Sequence, residues 1–520
     1  MKMTLNIHFD RQSSIIICFF LFNWFRLYLT VEMDIVNREP ECSKPLGELK
    51  PGPERTIFYQ LPWTEDVIPK PSSSQSSTPM QMEYISMPFN GKVWAEVKNL
   101  ASKQIRTSQQ LIDSIKSTNP SLKRFSFNIL KQVVDEMNES EQKIFYDETF
   151  PFIISSALAL PDLIIQPIPI LKQKMNHSLF FSQQQCASLL ANAFLCTFDK
   201  PTKSKLNHFT FTELFTVMRP GATKRKLEKL KCIINYFRRL SRNTPKGTVT
   251  FERRYLEAKK TPDWSSSESS LKRLIVNNNG SIEKDGIGML QVDFAHKLIG
   301  GKVLTYGMVQ EEIRFVVSPE LIVSMLFTET MLENEAIHII GTEQFNDYAG
   351  YSDTFSMAGD HFDSRPLDEW GRRFTKVVAM DAVYFAVDRV ITQYSKKYLD
   401  RELTKAYVAF MENDEIDEKH RSAIATGNWG CGVYRGDPQF KSLIQLIAAS
   451  MCHRDLVYFT FKDKRLSNFE SFIAGLESEK ITSGQLYNDL IEYGNYVSTL
   501  VSRQNREQVF DYLQRKFKSK

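Results

Sequence analysis

The sequence predicts an α/β protein, a mixed sheet flanked by helices with an all-helical accessory unit N-terminal to it. Three observations carry this. Short apolar runs, AIHIIGT (336–342), KVVAMDA (376–382) and LVYFTF (456–461), have the length of buried strands. Helix-patterned segments, 320–332, 402–411 and 440–451, alternate with them, as a sheet covered by helices requires. The stretch 93–240 carries helical periodicity and few strand signals.

In chain order, residues 33–84 are rich in Pro, Ser and Glu and end in PKPSSSQSSTPMQM (69–82). Such a segment buries too little apolar surface to offset its ordering entropy, so residues 1–84 read as a disordered tail and linker. Residues 85–245 form the helical unit. Phe125, Ile129, Leu130, Val133 and Val134 recur at helical spacing, and Ser182 is the expected N-cap of a helix through 181–198. The run KRKLEKLKCIINYFRRL (224–240) has a basic face, which reads as a solvated flank or as a contact for a charged polymer, the flank being the commoner outcome. Residues 246–520 form the sheet-bearing unit. There LKRLIV (271–276) leads through NNNG (277–280), a hairpin signal, toward GMLQVDFA (288–295). From Ser467 onward the chain reads helical again.

The chain has 520 residues, 42% hydrophobic and 24% charged, with Lys+Arg 66 against Asp+Glu 61. That excludes wholesale disorder and a polytopic membrane protein, and the balance is too even for a nucleic-acid coat. The 7 cysteines include no C-x-x-C pair, which argues against a disulfide scaffold and for a reducing compartment. The histidines form no metal-ligand spacing, so no metal site is expected. Residues 15–31 are apolar but broken by Asn23 and Arg26. They read as a signal or anchor, or as an extension ahead of a start at Met33; the cysteine usage favours the second.

Chemistry concentrates in QVDFAHKLIGGKVLTYGMVQEEIRF (291–315). A strand ends in Asp293, and Gly300 and Gly301 follow. Lys302 is then separated by seven residues from Gln310, Glu311 and Glu312. Glycines after a strand let backbone N–H groups approach a phosphate. Two crowded carboxylates repel, which raises one pKa and keeps a proton for acid catalysis. The loop ATGNWGCGVYRGD (425–437) suits a diphosphate and a sugar, or is a tight structural turn. GTEQFNDYAGY (341–351) puts Tyr348 and Tyr351 where rings could stack on a base.

The pattern GGK-x7-QEE resembles the GGG-x(6–8)-QEE signature of the poly(ADP-ribose) glycohydrolase family. The pieces ILKQKMNHS, SLLANAFLCTF, YFRR, VDFA, PELI, LFTE, GTEQ, ATGNWGCG and VYFTF are similar to that family as well, from about residue 160 to 490. The resemblance implies a macrodomain-type fold with a helical accessory domain. It implies hydrolysis of the ribose–ribose bond of poly(ADP-ribose) on modified proteins, with ADP-ribose as product. Glu312 would be general acid and then base, Glu311 would bind ribose hydroxyls, and Asp293 would support both. Ile282, Glu283 and Gln310 would recognise adenine. Tyr351 and Phe461 would lie at the adenosine end, with Tyr348 nearby. His296, Gly300 and Gly301 would line the first loop, and Gly427, Asn428, Gly430, Gly432 and Tyr434 the second. The resemblance implies no cofactor, a monomer working in the nucleus and cytoplasm (or a mitochondrial or membrane-anchored form), and no direct nucleic-acid readout.

Three positions depart from the family pattern. Lys302 replaces the third glycine, His296 an asparagine, and Tyr434 a common phenylalanine. A lysine at a position requiring φ > 0 would cost roughly 1 kcal/mol or more. It could instead set a cation beside the diphosphate. If the loop were misshapen, the chain would be a weakened ADP-ribose-binding module.

Overall fold

The computed structural model describes residues 46–72, 82–88, 91–199, 205–217, 221–412, 421–500 and 506–518. The apolar segment 15–31 and Met33 lie outside the described residues, as does most of 69–82. Among the described residues no helix is long and apolar enough to cross a membrane.

The strands are β1 (Arg55–Ile57), β2 (His177–Ser182), β3 (Thr248–Tyr255), β4 (Leu274–Asn277), β5 (Leu290–Ala295), β6 (Glu335–Gly341), β7 (Asn346–Ala349), β8 (Ser356–Asp360), β9 (Arg373–Asp381), β10 (Ile424–Gly427) and β11 (Leu456–Phe459). Nine of them form one mixed sheet in the order β1-β2-β3-β6-β9-β5-β10-β11-β4, while β7 and β8 pair separately. From β9 to β4 every pairing is parallel, and β6 and β3 run antiparallel to their neighbours. The residues of β9 show why it sits centrally. Val377 and Ala379 enter one core and Val378 and Met380 the other, so successive side chains bury on opposite faces.

One face is covered by the helical unit. Ile129, Leu130, Val133 and Val134 lie buried on the helix Asn128–Asp135, as the spacing requires. Ser182 caps the helix Gln183–Phe194 reciprocally with Gln185. Phe181 stacks on Phe58 (ring centroids 4.2 Å apart) and on Phe327 (5.8 Å), joining unit and sheet in one core. The helices Lys396–Phe410, Pro438–Met451, Phe469–Ser478 and Ser483–Thr499 cover the other face.

Four expectations are corrected. Residues 46–72 are not a featureless tail: β1 pairs in parallel with β2, Thr56 Oγ1 hydrogen-bonds His177 Nε2, and the Gln185 amide donates to Phe58 O at 2.7 Å. The sheet also takes β2 from within the segment read as purely helical. NNNG closes no hairpin. Asn277 Oδ1 instead accepts the N–H groups of Asn279 and Gly280 and turns the chain into the single helical turn Ile282–Asp285. β4 and β5 run parallel with two strands between them, so the connection must cross over rather than fold back. The segment 320–332 is helical only through Phe327.

Glu320, fully buried, accepts from the Gln183 amide and the Glu343 N–H, and burial followed by the Glu343 charge pushes it up to about 8. The folded state therefore holds this proton more tightly than the unfolded chain. Its contribution is complete below the ordinary carboxylate value and is lost as pH rises toward about 8. Glu320→Gln should flatten the fall in urea midpoint across that window; an unchanged slope would contradict the assignment.

Candidate active site

Five parallel strands, β9, β5, β10, β11 and β4, end on one edge of the sheet, the place where open α/β sheets take ligands. Asp293 lies in β5, and the chain leaves that strand into the loop holding Gly300 and Gly301. Both glycines have positive φ, 81° and 49°. The chain returns at the helix Gln310–Val317, whose first three side chains fold back onto the strand and loop.

Their hydrogen bonds form a single pattern. Gln310 Oε1 accepts from Phe294 N–H (2.8 Å), and its amide donates to Val292 O (3.1 Å). Glu311 accepts from Gly300 N–H (2.7 Å) and His296 N–H (2.9 Å). Glu312 accepts from Lys302 N–H (2.9 Å) and Val309 N–H (2.8 Å). Both glutamates are buried, and Asp293 is entirely so, with no hydrogen-bond partner on either carboxyl oxygen. Burial, and then the charge of Glu312, pushes Asp293 well above the usual carboxylate range; burial, then Asp293 and Glu312, does the same to Glu311. Burial without a hydrogen-bond partner favours the protonated form of such an acid.

The loop is built to the dimensions of these carboxyls. A Cβ on Gly301 would lie 2.5 Å from Glu311 Oε2 and 2.8 Å from Glu312 Oε1. Gly307, which no sequence argument singled out, is equally tight: its Cβ would meet Glu312 Oε1 at 2.4 Å. Arg314 was also missed. It is buried, donates to Gln291 Oε1, and its charge draws Asp293 downward against the burial effect.

The departures prove mild. Positive φ in this loop is confined to Gly300 and Gly301, so Lys302 carries no left-handed strain, and its side chain is exposed. His296 gives its main-chain N–H to Glu311 and accepts from Leu298 N–H on Nδ1 (3.1 Å). Tyr434 lies near the acids: burial, then the charges of Glu311, Asp381 and Glu312, pushes its hydroxyl up to about 12.

The second loop leaves the end of β10. A Cβ on Gly427 would strike Phe459 O (2.5 Å) and the Phe461 ring (2.7 Å), and Gly430, at φ 75°, would strike Ala382 (2.6 Å). Gly432 faces open space, so the fold itself does not demand a glycine there. Asn428 is spent on the scaffold, donating to Thr460 O and accepting from the Tyr458 hydroxyl.

Beside these loops, Tyr351 and Phe461 are exposed rings (54% and 44%). Burial, followed by the Glu312 charge, raises the Tyr351 hydroxyl. Two expectations change here. Tyr348 is no open platform, because its hydroxyl donates to Glu283 and its ring stacks on Phe355 (5.6 Å). The Ile282 side chain is buried against Ala425, Val457 and Phe459, so it is not available to contact a base.

A sheet with helices on both faces, and acids and a glycine loop at the ends of its parallel strands, defines a macrodomain-class protein. Two family models agree: poly(ADP-ribose) glycohydrolase (PARG), helical domain, matches residues 137–253, and poly(ADP-ribose) glycohydrolase (PARG), Macro domain fold, matches residues 261–468. The chain is 32% identical over 425 residues to probable poly(ADP-ribose) glycohydrolase 2 of Arabidopsis thaliana, covering 69% of this chain and 80% of that protein. It is 32% identical over 441 residues to poly(ADP-ribose) glycohydrolase 1 of the same plant, with the same coverage. It is 34% identical over 322 residues to poly(ADP-ribose) glycohydrolase 2 of Caenorhabditis elegans, covering 60% of this chain and 63% of that one. The chain belongs to the poly(ADP-ribose) glycohydrolase family, a family of glycosidases.

The loop geometry gives neighbouring positions losses of different size and cause. Gly301→Ala should lose about 1–3 kcal/mol in urea unfolding. Lys302→Gly should lose about 0.4–1 kcal/mol, because it only loosens the unfolded chain. A Lys302→Gly variant more stable than the native chain would show that the lysine strains the loop.

Proposed function

We propose that the chain hydrolyses the ribose–ribose O-glycosidic bonds of poly(ADP-ribose) on modified proteins and releases ADP-ribose, with Glu312 as the proton-transferring group. The observation that carries this reading is the crowding of Asp293, Glu311 and Glu312 into one buried cluster beside a backbone loop with two left-handed glycines. Burial pushes Asp293 and Glu311 well above the usual carboxylate range, so these two acids hold their protons more tightly than exposed carboxyls do.

In the proposed reaction the Glu312 carboxyl gives a proton to the leaving ribose oxygen. The glycosidic bond breaks with oxocarbenium character at the anomeric carbon, and the regenerated carboxylate then takes a proton from the attacking water. Glu311, already aimed by two N–H groups, would accept from ribose hydroxyls. The Gly427–Tyr434 loop would hold the diphosphate, with Asn428 stiffening it, and Tyr351 and Phe461 would flank the base. The Lys302 cation, exposed beside the loop, would add attraction for the diphosphate rather than distort it. A binding module without turnover would need a misshapen loop, and left-handed backbone falls only on the two glycines. We place this activity in the nucleus and cytoplasm, in a monomer, on the family resemblance.

Glu312→Gln should release ADP-ribose from labelled polymer about 10²–10⁴-fold more slowly while keeping ADP-ribose affinity. Gly307→Ala should fold normally and still lose about 10²-fold in turnover, because its methyl displaces the Glu312 carboxyl. A native chain that binds the polymer without cleaving it would overturn the enzyme reading, and a Glu312→Gln variant of native activity would remove the role given to that residue.

A further inference from the structure

Helix Thr223–Arg242 presents its basic run inward as well as outward. Lys224 and Lys231 keep solvent contact, but Lys226 and Lys229 are buried, at 2% and 0% exposure, which corrects the reading of this face as a solvated flank. The two buried lysines serve different places. The Lys226 ammonium donates to Glu213 O and Thr216 O within the helical unit. The Lys229 ammonium crosses to the active-site loop and donates to Val303 O (2.9 Å), Lys302 O (3.1 Å) and Thr305 O (3.5 Å).

The backbone of that loop holds the catalytic carboxyl. Lys302 N–H donates to Glu312 Oε1, Gly307 N–H closes back onto Lys302 O, and Thr305 N–H also reaches Lys302 O. Lys229 is therefore one bond from the carbonyl on which this turn converges. A buried ammonium has three donors to place, and here all three find main-chain carbonyls of one turn. Its nearest charged counterpart by electrostatic influence is Glu312, ahead of Lys226 and Arg225 on its own helix. Desolvation holds the ammonium pKa down near 7, which is the cost of keeping a cation under this loop.

We infer that Lys229 is a positioning residue for the reaction, its ammonium fixing from beneath the Lys302–Thr305 turn, whose leading N–H, that of Lys302, holds Glu312. This rests on the proposed role of Glu312 but is carried by separate contacts. The helical unit would then be more than a cover for the sheet, because it supplies the post on which the acid-holding loop stands.

The test compares Lys229→Met with Lys226→Met in the full chain. Both remove a buried ammonium from the same helix, and only the first touches the loop. In hydrogen–deuterium exchange, the peptide spanning residues 298–309 should exchange about tenfold faster in Lys229→Met and at the native rate in Lys226→Met, a tenfold change corresponding to about 1.4 kcal/mol of lost local protection. In turnover of labelled poly(ADP-ribose), Lys229→Met should lose about 10²-fold in kcat with KM within about threefold, while Lys226→Met keeps native kcat at temperatures where both are folded. Should Lys229→Met fail to fold, Lys229→Gln, which keeps a donor, is read by the same two measurements. Native loop exchange in the Lys229 variant, or equal effects from both lysines, overturns the inference. A native chain without turnover would defeat the functional reading alone, since the exchange measurement still decides the role of Lys229.

Discussion

Two adjacent glutamates at the first turn of a helix take four hydrogen bonds from main-chain N–H groups, and the rest of the site is arranged around that fact. Gly300, His296, Lys302 and Val309 are the donors, and none uses its side chain for the purpose. Backbone donors have fixed geometry and no rotamer freedom, so they place the carboxyls without an ordering cost at the moment of reaction. The arrangement also explains where glycine is required. Gly301 and Gly307 crowd the carboxyl oxygens so closely that a methyl group would displace them, whereas Lys302 needs only a backbone.

The same geometry creates an electrostatic burden. Asp293 sits under the two glutamates with no hydrogen-bond partner, and the buried Arg314 is the cation whose charge draws it down. Three buried acids side by side oppose one another's ionisation, and Asp293 and Glu311 are both pushed well above the usual carboxylate range. A glycosidase needs a protonated acid, because protonating a leaving oxygen is the difficult half of its reaction. The two halves of the molecule meet here: the sheet supplies Asp293 and the loop, and the helical unit supplies the lysine under the loop.

Much of this was legible in the amino-acid order, for physical reasons that can be named. The QEE triplet and the glycine pair lie within a dozen residues of each other, so their meeting depends on one loop. The central strands were legible because both their faces are buried and they read as short apolar runs. Other features depended on distant packing. β1 is three residues of a proline-rich segment and becomes a strand only because β2 offers it an edge. The Asn-rich turn at 277–280 carries a genuine local signal, but parallel pairing with β11 overrides it. Lys226 and Lys229 look like any lysines on a basic helix, and only the loop packed above one of them makes it different. Tyr348 reads as a stacking platform in the sequence because nothing local shows that Glu283 consumes its hydroxyl.

The most direct test of the buried acid cluster is infrared spectroscopy of protonated carboxyl groups at neutral pH, comparing the native chain with Asp293→Asn and Glu311→Gln. We expect a protonated-carboxyl band in the native chain that is diminished by each substitution. A native spectrum with no such band, or one untouched by both substitutions, would mean that the acids are ionised and that the cluster holds no proton to give.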